Sequence, residues 1–354
     1  MMNKNFWKNK KVLVTGHTGF KGRWLCVMLK ILGANVSGIS LREKNNYKKI
    51  EYINFLPRKK SYLIDIRKRL KIEKIILKIN PEIIIHMAAQ SKVIDGLKFP
   101  IKTFETNFMG TVNILDISIK LKKLKMMLII TTDKVYENIK KRKKFSENDK
   151  LGGDDPYSAS KASTEIILDC YRKLNSKIKI MSLRAGNIIG GGDFGNNRIV
   201  PDIVKAWNND NSLFLRNPKS TRPWQYVLDV IVAYMRVIEI SYKSKRIPLS
   251  LNIGPFKSNI SVENLTLKFK SQFKNLKYNK TKKQKKSFEK KNLELDIKKS
   301  VKFLRLKNNI DLDNRIIRTS NCYKKILKTS NKNKLMSIYE NEALNFLKNY
   351  NEKV

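Results

Sequence analysis

Cysteine and histidine are both scarce in this sequence. The 354 residues include three cysteines and two histidines. The cysteines, Cys26, Cys170 and Cys322, are odd in number and widely spaced, so they form neither a disulfide framework nor a metal-ligand motif. Such usage suits a reducing compartment. Because two histidines also exclude a histidine-rich metal site, we predict that the protein binds no metal ion.

Long apolar runs are absent as well. A membrane-spanning helix needs about 20 consecutive apolar residues, and the sequence contains no such stretch. The first residues, MMNKNFWKNKKVLVTG, lead directly into a strand pattern without the apolar region or cleavage site of a signal peptide. We therefore expect a cytoplasmic protein with no membrane partner.

Acidic residues are outnumbered by basic ones. The chain has 75 Lys and Arg against 30 Asp and Glu, a formal net charge of +45. Such a charge is typical of proteins that bind nucleic acid or anionic surfaces. However, lysine, asparagine and isoleucine are enriched together, as in an A/T-rich coding sequence, and the basic runs lack the interleaved aromatic residues of a stacking platform. We expect no nucleic-acid partner, and part of the charge would serve an anionic small substrate.

Short apolar runs alternate with amphipathic segments through the first half of the chain. The runs KVLVTG, PEIIIHMAAQ, MMLIITT and IKIMSLRAG are separated by helical patterns such as RWLCVMLKILGA. This alternation predicts an α/β fold, a Rossmann-type doubly wound parallel sheet with helices on both faces. After about Gly190 the elements become shorter. We predict a dinucleotide-binding domain over residues 1–190 and a smaller C-terminal α/β lobe over residues 191–354 that is interleaved with it and binds the substrate.

A glycine-rich loop lies between the first strand and the first long helix. In VTGHTGFKGRWL, the glycines Gly16, Gly19 and Gly22 form a GxxGxxG pattern. Glycines at such a turn let the backbone approach a pyrophosphate closely, and the N-terminus of the helix then faces the phosphates. The placement between a strand and a helix favours this interpretation over an ordinary glycine turn.

The residue that would select the form of the nicotinamide cofactor is harder to find. Ser40 and Arg42 stand where an Asp or Glu would mark NAD, and Arg42 taken alone favours NADP. Asp65, after the third strand, either binds the adenine amino group or caps a helix. The loop by itself leaves the choice open.

A tyrosine and a lysine lie four residues apart in DDPYSASKASTE. This spacing places Tyr157 and Lys161 on one face of a helix. An ammonium group one turn away would lower the pKa of a phenol that ordinarily ionises near pH 10, so that the phenol can accept a proton from a sugar alcohol. Thr132, at the end of an intervening strand, would share the hydrogen bonding to that alcohol. Single YxxxK matches are common, and the upstream glycine loop makes this one significant.

Together these motifs resemble the extended short-chain dehydrogenase/reductases that act on nucleotide sugars. Within that group, GHTGFKG, TTDKVYEN, LGGDDPYSASKA, RAGNIIGGGDF, NRIVPD, RNPKSTRPWQYVLD and LNIGP are similar to the CDP-glucose 4,6-dehydratase family. The similarity runs from about Lys10 to Gly254 and is weaker beyond. The pair Asp133–Lys134 is the most discriminating feature, because dTDP-glucose dehydratases carry Asp-Glu at these positions.

The resemblance implies dehydration of CDP-glucose to its 4-keto-6-deoxy form, with NAD as cofactor despite Arg42. Tyr157 would take the proton from the C4 hydroxyl, and Asp133 would protonate the departing C6 hydroxyl, for which we expect it to be buried. Lys134 would remove the C5 proton as a neutral base, or would stay charged and stabilise the enolate. A purely structural alternative is a salt bridge from Lys134 to Glu137 or Glu165. The product would enter deoxysugar synthesis, such as that of lipopolysaccharide O-antigen.

The resemblance also implies the binding residues. Those for the cofactor are Gly16, Thr18, Gly19, Phe20, Gly22, Asp65, Ile66, Ala88, Ala89, Asn107, Tyr157 and Lys161. Those for the nucleotide diphosphate are Asn187, Arg198, Arg216 and Arg222, with surface charge as the plain alternative for the arginines. We expect His86 to be structural and Trp224 to be a core residue. A homo-oligomer, either a dimer or a tetramer, is expected from the family.

Some segments depart from the family pattern. The segment from Ser91 to Leu97 reads SKVIDGL where relatives usually carry a proline, an arginine and a tyrosine. Tyr226 replaces a histidine after RPWQ, and a glycine–tryptophan pair near the C-terminus is absent. These changes leave the proposed redox and dehydration groups in place, but they alter the expected wall of the sugar pocket.

Overall fold

A central sheet of seven parallel strands organises the computed structural model of this chain. The structure describes residues 2–42, 54–137, 144–256, 259–280, 293–306 and 311–352. The strands are β1 (Lys11–Thr15), β2 (Asn35–Ser40), β3 (Ser61–Leu63), β4 (Ile83–His86), β5 (Met126–Ile130), β6 (Lys179–Ala185), β7 (Ile188–Ile189), β8 (Ser212–Leu215), β9 (Thr221–Pro223), β10 (Gln225–Tyr226), β11 (Ser250–Ile253), β12 (Asn259–Ser261) and β13 (Lys277–Lys280). The central sheet has the order β3-β2-β1-β4-β5-β6-β11, with every neighbouring pair parallel.

Helices cover this sheet on both faces. The α-helices are α1 (Lys4–Trp7), α2 (Phe20–Ile31), α3 (Arg69–Ile79), α4 (Val93–Lys98), α5 (Pro100–Phe104), α6 (Gly110–Ser118), α7 (Pro156–Leu174), α8 (Ile199–Asn208), α9 (Val227–Lys243), α10 (Val262–Gln272), α11 (Lys298–Leu304), α12 (Leu312–Leu327) and α13 (Lys332–Glu352). Short 3₁₀ segments lie at Arg58–Lys60 and Asp133–Val135, and a π-helical turn at Glu105–Met109. The predicted Rossmann-type doubly wound sheet is confirmed. Because the strand order reverses between β1 and β4, the crevice at their carboxyl ends is where such sheets bind ligands.

The strands are apolar along their whole length because both faces of the sheet are buried. All five residues of β5 are buried. Since side chains alternate across a strand, Met126, Leu128 and Ile130 pack on the side that includes residues of α2 and α9, and Met127 and Ile129 on the side of α3 and α6. The first polar side chains of this segment therefore stand at the carboxyl edge of the sheet, just beyond Ile130.

The second half of the chain adds a smaller lobe and also returns to the central sheet. Its short strands pair as β7 with β10, β8 with β13 and β9 with β12. However, β11 pairs with β6 in the central sheet, and α13 packs against α2. The two halves are thus interleaved in the structure, whereas the boundary at residue 190 stays a prediction.

A buried ion pair connects β6 to α7 near the carboxyl end of β5. Arg184 on β6 and Glu165 on α7 approach to 3.0 Å, with 5% and 3% of their side chains exposed. Glu165 also accepts hydrogen bonds from Thr131 and Ser182, and Arg184 donates to the hydroxyl of Tyr136. A buried charge is tolerated when its partners satisfy it in this way. The network links β5, β6 and α7 beneath the residues that end β5.

Candidate active site

The glycine loop turns sharply between β1 and α2. Gly16 has a φ of +77°, a conformation that strains other residues. A Cβ at Gly16 would lie 2.9 Å from the backbone nitrogen of Ala88, and one at Gly22 would lie 2.1 Å from the carbonyl oxygen of Gly16. Gly19 is the N-cap of α2, which no side chain caps and whose first turn contains no acid. The helix N-terminus therefore presents its amide groups and its positive dipole end to an anion.

The sequence TTDK, residues 131–134, follows β5 and leads into the 3₁₀ segment Asp133–Val135. Thr132 is the N-cap of that segment, and its hydroxyl accepts a hydrogen bond from the backbone nitrogen of Lys134 at 3.3 Å. The same hydroxyl donates to the carboxylate of Asp133 at 3.0 Å. Asp133 is 3% exposed, as the resemblance led us to expect. The polar end of a buried strand thus carries an acid and an amine side by side.

Lys134 faces a cleft rather than an acidic partner. It is half-buried and lines a cleft of about 330 Å³. The two acids considered as structural partners pair elsewhere: Glu137 lies 3.1 Å from Lys150, and Glu165 is held by Arg184. The proposed salt bridges of Lys134 to these two acids are therefore absent from the described part of the chain, which leaves its amine available to chemistry in the cleft.

Tyr157 stands at the start of α7, beside Thr132. The helix begins here because Asp155 caps it by accepting from the backbone nitrogen of Ser158 at 3.0 Å, and Pro156 occupies its first position. Burial raises the pKa of Tyr157 to about 12, although a hydrogen bond with Thr132 opposes this shift. In the structure described, the net shift is upward and not downward as expected, and the influence of Lys161 on this pKa stays a prediction. The amine of Lys161 instead donates to the carbonyl of Ile130 at 3.0 Å.

The cleft brings four of the five predicted catalytic residues together with the predicted diphosphate residues. Its lining includes Thr132, Asp133, Lys134 and Tyr157, but not Lys161. The same lining includes Asn187, Arg198, Arg216 and Arg222 from the second half of the chain. Arg198 is oriented by Asp193 at 3.0 Å and by the hydroxyl of Ser91 at 2.7 Å. Arginine matches phosphate oxygens with a rigid fork of donors, so the cleft is built for an anion next to a proton-transfer site.

Residues 12–254, more than half of the chain, match the family model described as "Epimerase: NAD dependent epimerase/dehydratase family". A CDP-glucose 4,6-dehydratase of Salmonella typhimurium is 38% identical over 264 residues, which cover 72% of this chain and 74% of that protein. The chain belongs to the NAD dependent epimerase/dehydratase family.

Solved structures agree on the fold. A Thermus thermophilus UDP-glucose 4-epimerase in complex with NAD superposes with a TM-score of 0.75 at 20% identity, over 88% of this chain and 98% of that one. A Bacillus anthracis dTDP-glucose 4,6-dehydratase in complex with NAD gives 0.71 at 21% identity, over 92% and 99%. At these identities the likeness shows the fold alone. The cofactor follows from the family instead: as a member of the NAD dependent epimerase/dehydratase family, the protein uses NAD.

Several of the residues predicted to hold NAD follow the carboxyl ends of β1 and β4. The hydroxyl of Thr18 bonds the hydroxyl of Ser40 at 2.7 Å and the carbonyl of Leu41 at 2.8 Å, which ties the glycine loop to the end of β2. Phe20 opens α2, and Ala88 and Ala89 follow β4 after Met87. Small residues and a glycine loop at one crevice fit a dinucleotide. Their individual roles stay predictions.

Asp65 and Ile66 occupy the turn after β3. Burial favours a raised pKa for Asp65, but hydrogen bonds from Arg67 outweigh it and hold the pKa below the usual range. The guanidinium of Arg67 lies 2.8 Å from this carboxylate. Ile66 is buried and packs under Gly110, where a Cβ would meet its side chain at 2.5 Å. Asp65 is therefore engaged within its own turn.

Asn107 and His86 are wholly enclosed. Asn107 donates to the carbonyl of Gln90 and to the hydroxyl of Ser160, each at 3.0 Å, and so joins the loop after β4 to α7. His86 bonds Thr15 at 2.7 Å and Thr111 at 3.0 Å. Burial lowers the pKa of His86 to about 3, so this histidine is a neutral hydrogen-bonding group. The expectation of a structural His86 is confirmed.

The departures from the family pattern have different positions. Ser91, Lys92, Val93 and Ile94 belong to the cleft wall, and Ser91 supports Arg198. Tyr226 is buried and donates to Glu342 on α13 at 2.7 Å. The first change therefore alters the site itself, whereas Tyr226 links β10 to α13. Trp224 is 2% exposed and also reaches the cleft, so the core interpretation holds alongside a wall role.

Sequence reasoning missed Lys21 and Gly186. Lys21 follows Phe20 in α2 and lines the cleft. Burial lowers its pKa to about 7, and the charge of Lys161 adds to this effect. Gly186 lies against Asp133, since a Cβ there would come within 2.9 Å of its carboxylate. A cation in the first turn of a helix, where the dipole disfavours it, was the available signal for Lys21.

Burial also lowers the pKa of Lys161 to about 8, although the negative charge of Glu165 opposes this shift.

The described residues contain no group of three or more His, Cys, Asp and Glu side chains suited to a metal ion. None of the helices in that same part of the chain has the length and apolar character that crossing a membrane requires.

Proposed function

We propose that the protein dehydrates CDP-glucose to CDP-4-keto-6-deoxyglucose. The observation that carries the proposal is the placement of Asp133 and Lys134 in one cleft with Tyr157. An epimerase needs an acid–base group at C4 only, whereas loss of water across C5 and C6 needs a second acid and a second base. The similarity to the Salmonella CDP-glucose 4,6-dehydratase supports the choice of cytosine nucleotide.

The reaction begins at C4 of the glucose ring. Bound NAD would supply the acceptor for the C4 hydride and the donor for the hydride at C6, so that the reaction would involve no net oxidation. Tyr157 receives the proton of the C4 hydroxyl, and Thr132 hydrogen-bonds beside it. Lys161 lies one helical turn from Tyr157, with its amine held by the carbonyl of Ile130, and we assign it to the binding of the cofactor. The product of this half-reaction is a 4-ketone whose C5 hydrogen is acidic.

Water then leaves across C5 and C6. Lys134 removes the C5 proton, or stabilises the enolate while another group does so. Asp133 gives a proton to the C6 hydroxyl, which departs as water. Asp133 is 3% exposed, so a proton that it carries is shielded from bulk water. After hydride has reached C6, a proton returns to C5, and the balance is loss of one water molecule.

The nucleotide is held by the second half of the chain. Two negative charges on its diphosphate match Arg198, Arg216 and Arg222, of which Arg222 is 5% exposed. Asn187 follows β6 in the same wall. A deoxysugar nucleotide is a precursor for surface polysaccharides such as lipopolysaccharide O-antigen, and we place the enzyme in the cytoplasm, where nucleotide sugars and NAD are found.

An exposed apolar face supports a homo-oligomer. It is formed by side chains of α4 to α7: Leu97, Phe99, Ile101, Phe104, Met109 and Ile166, of which Ile101 is 75% exposed. Because α4, α5 and α7 pack against one another, these exposed apolar side chains favour association. We expect sedimentation of the purified chain to give a dimer or tetramer, and Ile101→Glu with Ile166→Glu to shift it toward monomer. A monomeric parent chain would contradict this proposal.

A comparison of nucleotide sugars tests the function. Purified protein with NAD is incubated separately with CDP-, dTDP- and UDP-glucose, and the products are identified by mass and by the alkali-induced absorbance of 4-keto-6-deoxy sugars. We expect the CDP compound to be dehydrated and the others to react at least about tenfold more slowly. A pocket that hydrogen-bonds one base leaves its polar groups unpaired when another base binds, which lowers the rate with that substrate. Dehydration of the dTDP compound alone would move the assignment to another dehydratase. An epimerised hexose, with no loss of water, would overturn it.

A further inference from the structure

Arg198 is held at two separate nitrogens of its guanidinium. It is the N-cap of α8 and lines the cleft. Its Nη1 donates to both carboxylate oxygens of Asp193, at 3.0 and 3.1 Å, and its Nη2 donates to the hydroxyl of Ser91 at 2.7 Å. Because the guanidinium is planar, partners on two of its nitrogens fix both its position and the direction of its plane.

The two partners come from different parts of the fold. The side chain of Asp193 is 8% exposed and follows β7, whereas Ser91 is exposed in the loop between β4 and α4. Asn107 holds that loop, since it accepts from the backbone nitrogen of Gln90 at 2.8 Å and donates to the carbonyl of Gln90 at 3.0 Å. A fixed loop of the first half of the chain therefore reaches a cation of the second half.

A second cation lies beside Arg198 in the cleft. Arg216 donates to the backbone carbonyl of Asn197, the residue before Arg198, at 3.4 Å. Both arginines line the cleft. Two neighbouring positive charges repel each other until an anion lies between them, and guanidinium groups match phosphate oxygens bidentately. A diphosphate is the chemical class of ligand that suits this part of the cleft.

We propose that Ser91 is a positioning residue, which presents the guanidinium of Arg198 to the diphosphate of the nucleotide sugar. This inference rests on the proposed function, which assigns the diphosphate to Arg198. With Asp193 as its partner on Nη1 alone, the guanidinium could still turn, and the ligand would have to immobilise it on binding. Ser91 supplies a second point of contact before the ligand arrives, so this ordering cost is avoided.

The exposure of Ser91 separates this role from one in folding. An exposed serine buries little surface, and water can replace a hydrogen bond that its hydroxyl loses. Removal of the hydroxyl should therefore leave the free energy of unfolding nearly unchanged. Its effect should appear when a ligand binds to Arg198.

Direct binding of CDP tests the proposal without turnover. Calorimetric titration of the protein with NAD bound should show CDP binding about fivefold weaker in Ser91→Ala, the cost of ordering one long side chain. Ser91→Thr, which keeps a hydroxyl, should restore parental binding. Cytidine, which has no phosphate, should bind the parent and Ser91→Ala equally. The KM for CDP-glucose should rise by the same factor as the CDP dissociation constant, with kcat within about twofold of the parent value.

Two further variants complete the design. Ser337→Ala is the matched control, because Ser337 is also exposed and its hydroxyl donates to the carbonyl of Asn333 at 3.0 Å, away from the cleft wall. Arg198→Met removes the guanidinium that Ser91 is proposed to position. In the Arg198→Met protein, the added change Ser91→Ala should weaken CDP binding no further.

Three outcomes would overturn the positioning role. They are parental CDP binding in Ser91→Ala, an equal loss for cytidine, and a loss that persists in the Arg198→Met protein, since Ser91 would then act without Arg198. Failure of the proposed function is distinct: the parent protein would bind CDP and form no 4-keto-6-deoxy product from CDP-glucose. A parent protein that binds no CDP would overturn both.

Discussion

Tyr157→Phe is expected to lower the turnover of CDP-glucose about a thousandfold. The substitution removes the only atom of that side chain that can accept the C4 hydroxyl proton, and it leaves the ring in place at the start of α7. Hydride cannot leave C4 unless the proton leaves as well. Turnover is measured by formation of the 4-keto-6-deoxy product under saturating substrate, so that a change in substrate binding does not enter.

The change should appear in kcat and leave cofactor binding intact. NADH titration by fluorescence checks the binding, and it should agree with the parent protein within about twofold. Tyr242→Phe is the matched control: Tyr242 lies on α9, its hydroxyl bonds Glu82 at 3.1 Å, and it is absent from the cleft wall. A Tyr157→Phe protein with parental turnover would mean that another group accepts the proton.

Local patterns made much of the fold and part of the site predictable. The glycine loop between β1 and α2 is encoded in a dozen adjacent residues, and the apolar strands β4 and β5 read directly as buried. The positions of Asp133 and Lys134 at a strand end follow from the same pattern, since the carboxyl edge of a parallel sheet collects the first polar residues after each strand. Such features depend on neighbours in the sequence.

Features that depend on distant residues were not predictable in this way. Lys161 is one turn from Tyr157, yet its amine is directed to the carbonyl of Ile130, which belongs to β5. Glu165 was considered as a partner for Lys134, but β6 brings Arg184 closer. The pKa of Tyr157 depends on burial, which spacing along one helix does not report. The pKa expected for Tyr157 and the salt bridge considered as an alternative for Lys134 both depend on packing between elements, which local spacing does not determine.

Lys134→Met is expected to stop product formation while oxidation at C4 continues. The substitution keeps the length of an unbranched side chain and removes its amine. The C5 proton then has no acceptor, or the enolate no counter-charge, and in either case loss of water falls at least about a hundredfold. Reduced cofactor should accumulate to nearly one equivalent per site, whereas the parent protein shows only a transient. The absorbance of the reduced nicotinamide measures this accumulation directly.

The same position separates the two roles considered for Lys134. Lys134→Arg keeps a positive charge, but a guanidinium does not lose its proton near neutral pH and cannot act as a base. If Lys134 is the C5 base, Lys134→Arg should resemble Lys134→Met and should also lose exchange of the C5 hydrogen with solvent deuterium. If it stabilises the enolate, Lys134→Arg should retain much of the turnover. Lys150→Met, on a lysine paired with Glu137 away from the cleft wall, controls for the loss of charge. Parental turnover in both Lys134 variants would remove this lysine from the chemistry and leave the C5 proton to another group in the cleft.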